Sequence, residues 1–353
     1  MSWAFSYWQG MANHLAEGFI LIFAEGAFYS IFSFLFSLGF ALQLLRAEAK
    51  GDDLMPRFRR RLAILLAFGL IHVFMIWLGD ILTQYALVGF LLPFFSRKNL
   101  KDLWRYVILL SLVSFVLNLG LGWLTQMAPN AEGEDFADSQ RFSMVEQLKT
   151  YATGSYSDIF QDRFPQAIVG TLGTFILVPT LLALFLLGLM AGKVRFFELD
   201  EEQRNFALRL LPLTLGLALI IKGCYAYLLI RGEPQPLGML LSQASGGPLL
   251  GFSYMAILIL LWHRGFKRFL FPLARIGRMA LSNYIAQSLI CTTIFYGYGL
   301  GFYGKLGPAV TLWLSFTIYL VQVLLSHFWL NRYRFGPLEW LWRSLTYGSW
   351  QKL

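Results

Sequence analysis

An all-α, polytopic transmembrane helical bundle is predicted by three observations. Charged residues make up 14% of the 353 positions and hydrophobic residues 57%, against roughly 25% charged in soluble domains. The stretches 106–130, 164–192, 234–262, 279–304 and 306–331 contain no Asp, Glu, Lys or Arg, and each reaches the ~20 residues that cross hydrocarbon. The basic residues behind the net charge of +9 lie between these runs, where they act as orientation signals and do not form a nucleic-acid face.

In order, Met1 to Glu25 is aromatic-rich and interrupted by Glu17 and Glu25, a composition suited to the membrane interface. It lacks the basic start and apolar core of a cleavable signal. The first full span is expected over Gly26–Leu45. A loop over Arg46–Arg61 with six Lys/Arg follows, then the second and third spans, Leu62–Leu78 and Ile81–Phe95, joined as a tight hairpin by Gly79-Asp80. Arg97–Arg105 adds four basic residues before the fourth span, Tyr106–Met127.

Ala128–Phe164 is the one long hydrophilic insert, acidic on balance. The fifth span is Ala167–Ala191, and Lys193–Arg209 reads as a short surface helix. The sixth, Leu210–Ile230, carries Lys222, which can snorkel or pair with a carboxylate. The seventh, Leu249–Trp262, is lengthened by the Gly-Pro-rich segment before it, and a basic loop over His263–Arg278 follows. Met279–Gly299 and Val310–Leu330 are the eighth and ninth, and a basic, aromatic tail closes the chain.

Basic loops fall after spans one, three, five, seven and nine, and Lys/Arg excess marks the cytoplasmic side. The reading is therefore about nine spans, with the N-terminus and the acidic insert outside and the C-terminus inside. The localisation expected is a bacterial cytoplasmic (inner) membrane, multi-pass, with the lipid bilayer as partner. The whole chain reads as one integral-membrane domain (1–127, the external insert 128–164, then 165–353). Cys224 and Cys291 fall inside spans as packing residues, without CxxC or Cys/His metal spacing. No internal repeat is evident, which weakens the usual pointer to a secondary transporter.

The chemistry concentrates in Arg57–Tyr85. His72, Asp80 and the arginines Arg60 and Arg61 sit in a segment otherwise fit for lipid, where an ionisable group costs about 2.5 kcal/mol or more unless it meets protein or water. On a continuous helix Asp80 lies about 12 Å beyond His72 and about 80° round. A break at Gly79 instead lets the carboxylate fold back and orient the imidazole. The plainer alternative is that His72 bonds another helix and Asp80 caps the third span.

Span eight reads R-M-A-L-S-N-Y-I-A-Q-S. Asn283 and Gln287 share a face, with Tyr284 and Ser288 beside them; such amides bind substrate or glue helices together. Arg163, at the end of the insert, meets an anionic head group or balances Asp162. Tyr85 opens the run after Asp80. The Glu339–Arg343 pair among tryptophans reads as docking of an amphipathic tail.

Phe32–Leu42 (FSFLFSLGFAL), Arg60–Tyr85 with its H-x6-GDIL-x2-YA pattern running on to Ala86, Gly277–Ser288 (GRMALSNYIAQS) and Phe335–Arg343 (FGPLEWLWR) resemble the domain-of-unknown-function family 418, the YeiB-like bacterial membrane proteins, over nearly the whole chain. That family is similar, more remotely, to integral-membrane acyltransferases that modify sugars. The resemblance implies acyl transfer from an acyl-CoA-type donor to a hydroxyl or amine of a glycan or small molecule, with His72 as base and Asp80 as its partner. Arg60, Arg61, Tyr85, Arg163, Asn283, Tyr284 and Gln287 are the candidate substrate contacts. Family members begin with a further helix after an Asp-x-x-Arg-Gly motif; this chain starts beyond that point, and the extra helix would bring the count to ten. Two other classes remain: a transporter with His72, Asp80 and Lys222 on a proton or substrate path, and an assembly factor whose polar groups only hold helices.

Overall fold

The computed structural model describes residues 8–127, 145–196, 205, 209–230 and 236–353. Among them every regular element is helical. In chain order these are α1 (Met11–Phe19), α2 (Ala27–Glu48), α3 (Met55–Ile71), α4 (Leu82–Gly89), α5 (Leu92–Phe95), α6 (Leu100–Met127), α7 (145–153) and α8 (Tyr156–Lys193). After them come α9 (Leu211–Ile230), α10 (Pro236–Leu241), α11 (Gly247–His263), α12 (Lys267–Arg278), α13 (Ala280–Phe295), α14 (Pro308–Arg332) and α15 (Pro337–Tyr347). Single π turns occupy Ile20–Ala24, His72–Ile76 and Ser242–Gly246.

Six helical stretches among the described residues are long and apolar enough to cross a membrane: Met11–Glu48, Leu100–Leu124, Tyr156–Lys193, Leu211–Leu229, Gly238–His263 and Pro308–Arg332. This is the make-up of a multi-pass membrane protein, whose backbone must satisfy its polar groups internally. The second, third and eighth expected spans are helical but shorter, because α3 gives way to a π turn at His72, α4 ends at Gly89 and α13 ends at Phe295. Helix α8 runs 38 residues, about 57 Å, so the last turns of the expected hydrophilic insert are helix continuous with the fifth span. Residues 128–144 of that insert, and most of the surface helix expected over 193–209, lie outside the described residues.

The chain divides into two compact units, each built from three separated segments. Unit 1 comprises residues 1–62, 85–125 and 174–268. Small residues bring its helices together: a side chain at Gly188 would meet the backbone of α2 at Phe34, and one at Gly251 would meet the carbonyl of Ala27. Such contacts replace the hydrophobic driving force that lipid removes. Lys222 is wholly buried in this unit and donates to the backbone carbonyl of Glu25 at 2.8 Å, while Gln243 donates to the Glu25 carboxylate at 2.8 Å.

Unit 2 comprises residues 63–84, 126–173 and 269–353. Tyr151, Ile159 and Tyr296 form a buried hydrophobic cluster in it, with Phe295 and Tyr303 packed on it. Tail helix α15 docks through Glu339, whose carboxylate accepts from the Ser282 backbone N–H at 3.0 Å and from the Ser282 hydroxyl. The expected Glu339–Arg343 pair gives way to this cap on the first turn of α13, and the Arg343 guanidinium lies over the Phe335 ring instead.

Candidate functional site

The site lies within unit 2 and begins where α3 ends. The π turn over His72–Ile76 closes with the Trp77 N–H on the His72 carbonyl at 2.8 Å, and Trp77 then takes an extended backbone. Two hydrogen bonds hold this ending open. Arg163, with no exposed surface, donates from Nη2 to the Phe74 carbonyl at 3.0 Å and from Nη1 to the Ile76 carbonyl. Its guanidinium thus takes over carbonyls that a helix terminus leaves unpaired. The Tyr156 hydroxyl adds a bond to the Met75 carbonyl at 2.8 Å. The helix therefore stops at Ile76, three residues before the break expected at Gly79.

The chain from Trp77 to Ile81 folds back beside the ring. A side chain at Gly79 would collide with the Trp77 indole, and one at Gly69 would collide with the backbone of Thr83. Those two glycines allow the close return. Tyr284 fastens the link, its hydroxyl donating to the Gly79 carbonyl at 3.0 Å and accepting from the Ile81 N–H at 3.3 Å. The Tyr284 and His72 ring centroids are 4.9 Å apart.

Asp80 makes both of the contacts weighed from the sequence. Its Oδ1 lies 3.0 Å from His72 Nδ1, while the carboxylate also accepts from the Leu82 N–H at 3.2 Å and the Thr83 N–H at 2.7 Å. The cap on α4 and the partner of the imidazole are one side chain. On the other side of the ring, His72 Nε2 lies 2.9 Å from the Ser288 hydroxyl of α13. A carboxylate is acceptor-only, so the Nδ1 contact requires the proton on Nδ1 and leaves Nε2 of the neutral ring as an acceptor. Carboxylate, imidazole and hydroxyl stand in the order used by nucleophilic hydrolases on unrelated folds.

Ser288 opens on a cavity of about 640 Å³ also lined by Tyr284, Gln287, Thr292, Tyr296 and Tyr151. That volume falls in the range of small-molecule sites. His72 has no exposed surface, Asp80 is 8% exposed, and neither is part of the lining. Outside the membrane-spanning helices, burial first and the Asp162 carboxylate second push the Tyr151 phenol up from its ordinary range.

Comparison with known proteins fixes the family. Residues 191–349 match the model described as "Protein of unknown function (DUF418)". The chain is 35% identical over 353 residues to "Uncharacterized protein YxaH" of Bacillus subtilis (strain 168), covering 97% of this chain and 84% of that relative. The chain belongs to the DUF418 family. It is also 31% identical over 357 residues to "Uncharacterized 39.9 kDa protein in amylase 3'region" of Bacillus acidopullulyticus, covering 94% and 83%. Against "Uncharacterized protein YeiB" of Escherichia coli (strain K12) it is 28% identical over 348 residues, covering 93% and 83%. No solved structure matches the chain.

In this DUF418 protein the other candidates separate by place. Tyr284 and Gln287 line the cavity. Asn283 does not: its amide donates to the Ser326 hydroxyl at 2.9 Å and its backbone carbonyl accepts from Gln322 at 2.8 Å, tying α13 to α14. Arg163 is sealed among carbonyls, a position that replaces the head-group contact expected from sequence. Tyr85 belongs to unit 1, where its hydroxyl donates to the Tyr29 carbonyl at 2.7 Å. Arg60 is exposed near the start of α3, and Arg61 half-buried beside it; neither lines the cavity. Ser288 is the functional candidate that sequence reading passed over. A serine inside an apolar span is common and satisfies itself on the preceding turn, as Ser288 also does on the Tyr284 carbonyl at 3.2 Å.

Proposed function

We propose that this DUF418 protein is a multi-pass enzyme of the bacterial cytoplasmic membrane. It moves an acyl group from an acyl-CoA-type donor to a hydroxyl or amine of an envelope glycan or small metabolite. The observation that carries the reading is the His72 imidazole held between Asp80 and a cavity-lining hydroxyl. A buried, tautomer-locked imidazole facing a hydroxyl is the equipment of general-base acyl transfer, worth typically about 10²–10⁴ in rate. The exposed Arg60 and its neighbours supply a positive field that draws an anionic donor to the membrane surface. Tyr284 and Gln287 contact the acyl group or its acceptor from the cavity wall, and the surrounding bilayer keeps bulk water from competing.

The test replaces His72 with Gln in folded protein and follows envelope glycan acylation in cells lacking the native copy. Loss of acylation supports the enzyme. Lost uptake of a solute with unaltered envelope chemistry supports a transport path, and unchanged behaviour in both leaves a purely structural role.

A further inference from the structure

We propose that Ser288 is the covalent acyl carrier of this site, so that transfer proceeds in two half-reactions through an ester on its Oγ. The inference rests on the acyl-transfer reading and adds the group that touches substrate. It follows from which members of the Asp80–His72–Ser288 line a ligand can reach. The imidazole has no exposed surface and both its nitrogens are occupied, Nδ1 by Asp80 at 3.0 Å and Nε2 by Ser288 at 2.9 Å. Ser288 belongs to the wall of the cavity, and the base does not.

The proton count points the same way. Asp80 accepts two backbone N–H bonds besides its contact with the imidazole, so both of its oxygens act as acceptors. With the ring proton on Nδ1, the Ser288 proton has a choice between Nε2 at 2.9 Å and the Tyr284 carbonyl at 3.2 Å. The nearer acceptor is a basic nitrogen. Its use turns the oxygen lone pairs away from the helix backbone and activates the hydroxyl as a nucleophile.

In the first half-reaction Ser288 Oγ bonds to the carbonyl carbon of an activated acyl thioester or ester, and its proton passes to His72 Nε2. Collapse of the tetrahedral adduct breaks the bond to the leaving thiol or alcohol, which departs with the proton from Nε2. In the second half-reaction Nε2, no longer facing a serine proton, accepts one from the incoming hydroxyl or amine. That nucleophile takes the acyl group, and Ser288 Oγ recovers its proton as it leaves. No oxidant, reductant or further co-reactant is needed. Asp80 holds the tautomer through both halves.

The experiment uses the full chain purified in detergent, with a fluorophosphonate probe and with p-nitrophenyl acetate in the absence of acceptor. Peptide mass spectrometry should place one phosphonyl or acetyl group on Ser288. Ser288→Ala should lose the adduct, His72→Gln should slow its formation about 100-fold, and Ser288→Cys should still be acetylated at position 288. Each variant is compared only if it elutes from size exclusion as the wild type does. No adduct on folded wild type, or an adduct that survives in Ser288→Ala, overturns the carrier. Glycan acylation lost in His72→Gln but kept in Ser288→Ala also overturns it, and leaves the acyltransferase reading standing with direct transfer. Acylation unaffected by His72→Gln brings down that reading itself.

Discussion

Asp80 Oδ1 lies 3.0 Å from His72 Nδ1 while the same carboxylate caps the first turn of α4 through the N–H groups of Leu82 and Thr83. One side chain thus couples the state of the imidazole to the start of the next helix, and its replacement should reveal two separable effects. Asp80→Asn keeps an acceptor for the cap but presents an amide N–H to Nδ1, driving the ring proton to Nε2. Turnover should fall about 10²–10⁴-fold with the thermal midpoint little changed. Asp80→Ala should lose turnover and also about 1 kcal/mol of stability, measured by thermal unfolding in detergent.

Asn283 and Gln287 sit one turn apart and should respond in opposite ways. Removing the Asn283 amide breaks its bond to Ser326, a loss of about 0.6–1.7 kcal/mol for a polar contact between membrane helices, with activity per folded molecule retained. Gln287→Ala should leave the thermal midpoint unchanged and lower the activity. Parallel melting curves and transfer assays on the two variants check this.

Arg163 should prove structural at the level of the site. Its guanidinium holds two carbonyls at the end of α3, and Arg163→Met strands both in a buried place, at a cost of about 1–3 kcal/mol. Because that bond pair sets where the helix stops, hydrogen exchange over residues 72–77 should rise in the variant.

A contrast of glycines tests the close return of the chain. A methyl group at Gly69 meets the Thr83 backbone N, which cannot move without disturbing the Asp80 cap, whereas one at Gly120 meets open space. Gly69→Ala should destabilise by about 1–3 kcal/mol. Gly120→Ala should be neutral or stabilise by up to about 1 kcal/mol. Thermal unfolding of the pair separates them.

Tyr151 gives a pH signature. Burial raises its folded pKa above the unfolded value of about 10. Its contribution to stability is therefore complete below pH ~10 and is lost as pH rises towards the folded value. Tyr151→Phe should remove one late tyrosinate signal from an absorbance titration and make alkaline destabilisation shallower.

The amino-acid order by itself determined that the chain is helical and suited to lipid. Runs such as 164–192 carry no charge for a full bilayer thickness, and only internally bonded backbone survives there. It also singled out His72 and Asp80 as candidates, since ionisable groups in such surroundings are costly. Tertiary structure alone decided the rest. Ser288 stands 216 residues from the histidine it touches and bears no local mark, because a hydroxyl in a helix can satisfy itself on the turn before. Which of Asn283 and Gln287 faced a neighbour and which faced a cavity depended on where α14 packs. Arg163 read as a head-group contact or a counter-charge to Asp162 until its carbonyl partners were in place. A side chain's cost can be read from its own segment, but its partner is chosen by distance in space.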